Sequence, residues 1–432
     1  MQPMSTLAAK TSSRIRRWAL GLLMRLPGAA ADPTSLLARF PDETLMTLRR
    51  DGLDPLPALA QREPVSRLKM PFGLRGWLVT GYEESRAVLA ADAETFSNDF
   101  SNMVGKVGIA ADQDPGGLGF ADPPAHTRLR HMLTAHFTTR ALAHRAERVQ
   151  QIVDEALDDM AAAGAGGASV DLQKHFALPI PSRVIMELLG IDEGDRAEFH
   201  RLSTARFDVQ DGAGSSLDLI QESIEYLREI VARQRLDPGP GLIGTILREY
   251  GDDVDDVELA GLADGVLTGG LETTVSMLAL GAIVLLQDPA AAAGLRDSDE
   301  GVDAFVEELL RYLSVVSVGF PRFARRDVTI GGKSIFAGDI VVCSLVGANR
   351  DARFGADPDR VDPHRPPQSN LAFGHGIHRC VGAELARMEL RIAYPSLVRR
   401  FPDLRLDVGT DALSYRDLSI VYGLESLPVV LA

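Results

Sequence analysis

One glycine-rich loop near the C-terminus constrains this chain more than any other feature. Residues 373–382 read Phe-Gly-His-Gly-Ile-His-Arg-Cys-Val-Gly, and an amphipathic helical pattern follows over 383–398. The loop therefore places Cys380 at a helix N-terminus, where the helix dipole and nearby amide donors favour the thiolate. The glycines allow sharp turns and a close approach to a flat cofactor. A lone cysteine is usually a buried structural residue, but this setting favours an axial thiolate ligand for a buried iron.

The loop resembles the haem-binding loop of the cytochrome P-450 family. The family pattern, Phe-Gly-x-Gly-x-His-x-Cys-x-Gly, is matched at every fixed position. The resemblance implies haem b as the cofactor, Cys380 as the thiolate ligand of its iron, and O2 as a co-substrate. It also implies haem contacts from Phe373, Gly374 and Gly382 in the same loop.

Helical periodicity dominates the rest of the chain. Helices are predicted over 83–91, 126–137, 141–163, 180–189, 217–233 and 255–287. Strand patterns occur at 77–80, 328–330, 340–346 and near the C-terminus, with glycine turns between them. Cys343 is predicted to be a strand residue that faces the core, and the Ala/Gly run at 161–168 a loop between two helices. The fold class is mainly α with a small antiparallel β region, and its order of elements resembles the cytochrome P-450 fold from about residue 35 to 432.

Composition limits the partners of the chain. The 432 residues are 45% hydrophobic and 24% charged, which is typical of a soluble globular protein. The net charge of −15 argues against nucleic acid as a partner, because no basic stripe dominates. Two cysteines make no disulfide framework, so the chain is expected in the cytoplasm. We find no linker, and residues 35–432 are interpreted as a single haem domain.

The N-terminal segment, residues 1–34, is basic and amphipathic. Four cations precede an apolar run of seven residues at 18–24, which is too short to span a bilayer. A signal peptide and a helix resting on a membrane surface are the alternatives. We expect a frayed or docked helix that is flexible and makes no contact with a membrane. Elsewhere the longest uncharged apolar run, at 273–286, has only fourteen residues and follows Glu272.

The long predicted helix carries an unusual polar centre. Gly269 and Gly270 each cost about 1 kcal/mol relative to Ala in a helix, and the hydroxyl of Thr273 competes for backbone carbonyls. We expect a local opening of the helix that makes room for dioxygen and substrate. By resemblance Gly269 contacts the haem, and Glu272 and Thr273 form the acid–alcohol pair that supplies protons for cleavage of the O–O bond. The alternative is a packing pair of glycines beside a solvated carboxylate.

A second pattern indicates an internal scaffold. Glu308 and Arg311 stand three residues apart on one face of a predicted helix. In the family this pair is buried and completed by an arginine that precedes the haem loop, and Arg365 is the matching position. The resemblance therefore gives these three residues a structural role rather than a chemical one, with a plain surface ion pair as the alternative.

Four further residues match the family's donors to the haem propionates. His126 and Arg130, at i and i+4, share one face of a predicted helix. Arg322 matches a third donor at the start of a strand, and His378 a fourth, two residues before the cysteine. Histidine and arginine suit this task because both donate directional, charge-assisted hydrogen bonds. Each of them alone could also be a solvated surface side chain.

The resemblance implies a haem-thiolate monooxygenase that inserts one oxygen atom from O2 into a hydrophobic small molecule such as a fatty acid, terpenoid, steroid or polyketide. Because two cysteines cannot ligate an iron–sulfur cluster, electrons must come from outside, and the resemblance implies a ferredoxin and its ferredoxin reductase. Arg379, Arg387 and Arg391 are predicted to form a basic docking patch for that acidic partner. Alternatives are a peroxide-driven peroxygenase, whose relatives replace the acid–alcohol pair, and a non-catalytic haem-containing lipid-binding protein.

The substrate pocket is matched to four segments of the family, at 98–120, 200–215, 315–320 and 420–422. They are apolar with few charges, so the pocket is expected to take an apolar substrate. Lys106, Arg206 and Asp208 are candidate polar anchors, and the loop at 110–119 is a candidate lid.

Overall fold

A computed structural model describes residues 41–70, 73–99, 118–195, 198 and 213–431, with the backbone alone at 193 and 213–221. The predictions for the N-terminal segment, for most of the candidate lid and for Lys106, Arg206 and Asp208 fall outside the described residues. The α-helices are α1 (Asp42–Leu45), α2 (Pro57–Ala60), α3 (Tyr82–Ala90), α4 (Ala125–Thr134), α5 (Thr139–Leu142), α6 (Ala146–Ala163), α7 (Pro179–Leu189), α8 (Ala213–Leu236), α9 (Leu242–Tyr250), α10 (Asp256–Gln287), α11 (Pro289–Asp297), α12 (Val302–Leu313), α13 (Leu345–Ala348) and α14 (Ala383–Arg400).

The strands are short and lie mainly in two sheets. They are β1 (Arg50–Asp51), β2 (Asp54–Pro55), β3 (Val65–Lys69), β4 (Arg75–Val79), β5 (Phe96–Ser97), β6 (Ser169–Asp171), β7 (Arg322–Ala324), β8 (Val328–Ile330), β9 (Lys333–Ile335), β10 (Ile340–Cys343), β11 (Arg405–Leu406) and β12 (Pro428–Val430). The larger sheet has the order β3-β4-β10-β7-β5, and a smaller one the order β11-β12-β6. The mainly α fold is therefore confirmed.

The core is organised around α10. The side chain of its N-cap, Asp255, accepts a hydrogen bond from the amide of Glu258 at 2.7 Å, which fixes where the helix begins. By length and apolar composition α10 could cross a membrane, yet 78% of its apolar window is buried inside the protein. It packs against α7, α8, α11, α12 and α14. This burial on several sides explains why its apolar residues do not follow one narrow stripe.

The structure corrects three local predictions. The larger sheet is mixed, because β4 and β10 pair in parallel while the other pairs are antiparallel. The run at 161–168 leads from α6 into strand β6 rather than into another helix. The strand predicted at 340–346 ends at Cys343, because the hydroxyl of Ser344 accepts a hydrogen bond from the Gly347 amide at 3.2 Å and starts α13. Cys343 itself is buried in its strand, as predicted.

Candidate active site

The glycine-rich loop folds back on itself immediately before α14. The amide of Cys380 donates to the carbonyl of Phe373 at 2.9 Å, which closes the loop. Gly374 and Gly376 adopt φ values of +67° and +72°, a left-handed conformation that side chains disfavour. A β-carbon at Gly376 would also overlap the carbonyl oxygen of Leu89 on α3. The glycines of the motif thus serve the sharp turns that the sequence predicted.

Cys380 is an exposed free cysteine. The cations Arg130, Arg379 and Arg387 and the amide of Gly382 lower the pKa of its thiol, as expected for a thiolate site. Desolvation of the thiol is the largest effect and raises this pKa, so the net shift is upward. The neighbouring cations and the Gly382 amide therefore act in the direction that the sequence predicted, and desolvation opposes them.

Four basic side chains gather beside the cysteine loop. The rings of His126 on α4 and His378 in the loop lie 4.2 Å apart. Arg322 on β7 is buried, and the Coulomb effects of Arg130 and Arg322 lower the pKa of both histidines, that of His378 to about 3. Burial is the largest cause of each shift. These are the four residues that the sequence suggested as propionate donors, and the fold brings them together from three separate elements.

This cluster fits an anionic cofactor. The Nε2 atom of His126 is buried and has no hydrogen-bond partner. Within the described part of the chain, neither Arg130 nor Arg322 forms an ion pair with a carboxylate. A buried cation such as Arg322 and an orphaned imidazole nitrogen are unfavourable unless an anion or acceptor completes them. The two carboxylates of a haem supply that chemistry, so the residues present fit the group.

The central part of α10 presents small and polar residues on one open face. Gly265 and Gly269, four residues apart, are exposed, and a β-carbon at either position would meet nothing within 4 Å. Gly270 differs, because a β-carbon there would overlap the side chain of Ile185 on α7. The hydroxyl of Thr273 donates to the carbonyl of Gly269 at 2.7 Å. The predicted competition for a backbone carbonyl is present, but α10 runs unbroken through it and shows no local opening.

Comparison with known proteins decides the family. A sequence model described as Cytochrome P-450 matches residues 300–413. Cytochrome P-450 165C4 of Amycolatopsis orientalis is 42% identical over 341 residues, 79% of this chain and 83% of that protein. The mycinamicin IV hydroxylase/epoxidase of Micromonospora griseorubida is 36% identical and covers 86% of this chain and 94% of its own. The structure of P-450 StaH from glycopeptide antibiotic A47934 biosynthesis superposes with a TM-score of 0.80, at 39% identity, over 89% of this chain and 99% of that chain.

The chain belongs to the cytochrome P-450 family. Its relatives are monooxygenases, hydroxylases and epoxidases, so the protein is a haem-dependent monooxygenase. The family's cofactor is haem b, with iron held by a cysteine thiolate and O2 as co-substrate. Cys380 occupies the position of that thiolate in the family motif.

An arginine that the sequence analysis missed contacts the acid of the acid–alcohol pair. Glu272 of this P-450 is buried, and its carboxylate forms an ion pair with Arg416 at 2.8 Å. Burial raises the pKa of Glu272, while the charge and hydrogen bond of Arg416 lower it, and the net shift is upward. Arg416 stands 144 residues further along the chain. No local signal marks it, since a single arginine near the C-terminus has no motif around it.

The three scaffold residues form a buried network in the P-450. The Glu308 carboxylate and the Arg311 guanidinium share two hydrogen bonds of 2.8 Å, and the Arg365 side chain donates to Glu308 at 3.3 Å. Arg311 also donates to the carbonyls of Asn349 and Pro358. The network therefore ties α12 to the strand-free segment that precedes the haem loop, and the alternative of an exposed surface pair does not apply.

The three arginines suggested as a docking patch are not equally available. Arg387 is largely buried and forms ion pairs with Glu307 and Glu384. Arg391 pairs with Asp303 on α12. Arg379 has 47% of its side chain exposed and lies 3.9 Å from Glu384. Neighbouring carboxylates therefore neutralise much of this patch, and only Arg379 presents a weakly paired charge.

Proposed function

We propose that this P-450 inserts one oxygen atom from O2 into a hydrophobic small molecule and receives electrons from a ferredoxin and its reductase in the cytoplasm. Residues 35–432 would form one haem domain, preceded by a basic segment at 1–34 that makes no membrane contact. The observation that carries the substrate class is an exposed apolar surface on the segments matched to the pocket. Phe320 is 50% and Ile420 39% exposed, and the ring of Phe120 packs on that of Phe320 with centroids 4.8 Å apart.

This apolar surface is built from the chain's own contacts. The amide group of Asn98 donates to the carbonyl of Gly119 at 2.9 Å and so holds Phe120 beside Phe320. Large exposed apolar side chains are unfavourable in water, and they mark places where an apolar partner binds. Among fatty acids, terpenoids, steroids and polyketides, we test polyketides first and include mycinamicin IV, because one relative is named as its hydroxylase/epoxidase.

Each site residue has a proposed task in the reaction. When bound, the haem iron supplies the activation of dioxygen. Cys380 would hold the iron, and the basic cluster of His126, Arg130, Arg322 and His378 would bind and orient the propionates by charge-assisted hydrogen bonds. The space around the haem would be shaped by Phe373, Gly374, Gly382 and Gly269.

Proton supply is assigned to the acid–alcohol pair. The hydroxyl of Thr273 lies on the open face of α10, and rotation away from the Gly269 carbonyl would let it donate its proton to an oxygen atom bound nearby. Residues i and i+1 of a helix point in different directions, so Glu272 restores that proton from the interior side rather than by direct contact. Burial raises its pKa and the Arg416 cation lowers it, with a net shift upward, so this carboxyl group holds a proton more readily than an exposed carboxylate does.

A spectral titration of the ferric holoenzyme tests the substrate class. Macrolides, steroids, terpenoids and fatty acids of graded length are added, and the shift of the haem toward high spin is recorded. We expect the tightest response from a macrolide ring system. A response that sharpens only with fatty acid chain length would replace this proposal with a fatty acid hydroxylase.

Thr273→Ala separates the monooxygenase from a peroxygenase. The variant should bind haem and substrate as the wild type does, but release peroxide in place of product when electrons come from NADPH. Equal product yields from wild type and variant with added hydrogen peroxide, together with no turnover by electron transfer, would favour the peroxygenase. Binding without turnover under either condition would indicate a haem-containing lipid-binding protein.

The electron donor is tested at Arg379. Because the neighbouring arginines are already paired, Arg379→Glu should slow ferredoxin-supported turnover at low ionic strength more than Arg391→Glu does. Salt screens exposed charges, so the difference should shrink as ionic strength rises. Identical rates for both variants at low salt would remove Arg379 from the docking surface.

A further inference from the structure

The cation that holds Glu272 comes from a hairpin at the C-terminal end of the chain. Residues 415–424, here called the C-terminal hairpin, are closed by a bridge between Tyr415 and Leu424 and by a hydrogen bond of 2.9 Å from the Arg416 amide to the Gly423 carbonyl. Its tip contains Leu418 at φ +60° and the exposed Ile420. The same hairpin thus carries an apolar surface residue at its tip and Arg416 at its base.

The space around Arg416 is shaped for its guanidinium group. Besides the ion pair with Glu272, Arg416 donates to the hydroxyl of Ser276 on the next turn of α10, at 3.2 Å. A β-carbon at Gly423 would lie 2.5 Å from Arg416 Nη2 and 2.6 Å from Ser276 Oγ. Glycine at 423 therefore leaves the room that the guanidinium occupies. This is a built contact rather than a chance pairing of surface charges.

The hairpin is also hydrogen-bonded to the segment that follows α12. The amide of Ser317 donates to the carbonyl of Ile420 at 3.1 Å, and the amide of Tyr422 to that of Val315 at 2.8 Å. These bonds join the tip to the segment that ends in Phe320. A buried ion pair contributes little net stability against apolar side chains of the same size, so stability alone does not account for Arg416.

We propose that Arg416 is a positioning residue for proton supply: it holds the Glu272 carboxylate at the interior side of α10, and the C-terminal hairpin sets where that carboxylate lies. The inference rests on the proposed role of Glu272 as the proton donor behind Thr273. The charged groups that act on Glu272 are Arg416, which stabilises its anion, and Glu425, which opposes it. Removing Arg416 therefore leaves a buried carboxyl group without its cation.

The first test measures the ionisation of Glu272 directly and needs no turnover. In the ferric holoenzyme, the C=O stretch of the protonated Glu272 carboxyl is followed by infrared difference spectroscopy over pH, with Glu272→Gln identifying the band. Arg416→Gln should move the titration midpoint to higher pH, because the anion has lost its partner. Arg416→Lys should return the midpoint most of the way to its wild-type value, because lysine restores the positive charge. Arg405→Gln changes an exposed arginine on β11 and is the matched control. A midpoint that is the same in Arg416→Gln and in the control would overturn the inference.

The second test reads proton supply. Dioxygen uptake is measured with NADPH, a plant-type ferredoxin and its reductase, in H2O and D2O. Glu272→Gln should slow uptake by at least about tenfold, as for loss of a general acid, and raise the solvent isotope effect. Arg416→Gln should follow it, Arg416→Lys should recover, and Gly423→Ala should fall between, because it displaces the guanidinium. If Glu272→Gln itself has no effect, the proposed proton donor is wrong. If Glu272→Gln acts but Arg416→Gln and Gly423→Ala do not, only the hairpin's role is wrong.

Discussion

Glu389 on α14 is a buried carboxyl group that the proposed chemistry does not use. Its side chain is 1% exposed, and its Oε2 atom has no hydrogen-bond partner. Burial raises its pKa from 4.5 to about 8. A folded state that holds a proton more tightly than the unfolded state is most stable at low pH. The free energy of unfolding then falls as pH rises from about 4.5 to about 8, by up to about 1.4 kcal/mol per pH unit.

Glu389→Gln should remove this loss. The difference in unfolding free energy between the variant and the wild type should grow over that pH range and level off above it, as measured by urea unfolding of the ferric holoprotein at fixed pH values. Glu300→Gln, at an exposed position, should keep the wild-type slope. If the unfolding free energies of Glu389→Gln and wild type depend on pH in the same way, Glu389 ionises freely in the folded protein and its carboxylate has a polar partner there.

At the scale of elements, the contact between α10 and α14 depends on one glycine. A β-carbon at Gly281 would overlap the ring and hydroxyl of Tyr394, a fully buried residue whose hydroxyl donates to the carbonyl of Met277. Gly281→Ala gains about 1 kcal/mol of helix propensity, but overpacking costs about 1–3 kcal/mol. Because neither helix can shift without disturbing the haem loop or the open face of α10, we expect a net loss of stability.

A double-mutant cycle checks this contact. Chemical unfolding should show Gly281→Ala to be destabilised, and Tyr394→Phe added to it should cost less than Tyr394→Phe costs alone, because removing the hydroxyl frees space. Gly294→Ala on α11 is the control, since a β-carbon there meets nothing within 4 Å, and it should be neutral or stabilising. Additive effects of Gly281→Ala and Tyr394→Phe would show that the two side chains do not compete for space.

For the whole molecule, the sequence predicted sites whose residues are close together in the chain, and it missed contacts between residues from distant segments. The haem loop and the Glu272–Thr273 pair were found because each places its chemistry in one continuous segment. Arg416 was missed, since only the tertiary fold brings it to α10. The parallel pairing of β4 with β10 joins segments that lie more than 250 residues apart, and no local pattern specifies the direction of such a pair.

The cofactor should contribute much of the electrostatic balance of the molecule. The basic cluster beside Cys380 comes from α4, β7 and the haem loop, and Arg322 within it is 4% exposed. Removing one partner of a buried charge pair costs about 3–5 kcal/mol, because the other charge stays buried and unpaired. Haem lacking its propionate charges should therefore bind far more weakly than haem b.

Haem dimethyl ester gives the measurement. Protein reconstituted with haem b or with the ester is mixed with an excess of an acceptor apoprotein, and haem transfer is followed by absorbance. The ester should leave the wild type at least about a hundredfold faster, which corresponds to about 3 kcal/mol. Arg322→Gln should speed the loss of haem b but change the loss of the ester little, because the ester has no charge for the arginine to bind. An equal acceleration of both by Arg322→Gln would mean that this arginine supports the fold around the haem and does not bind a propionate.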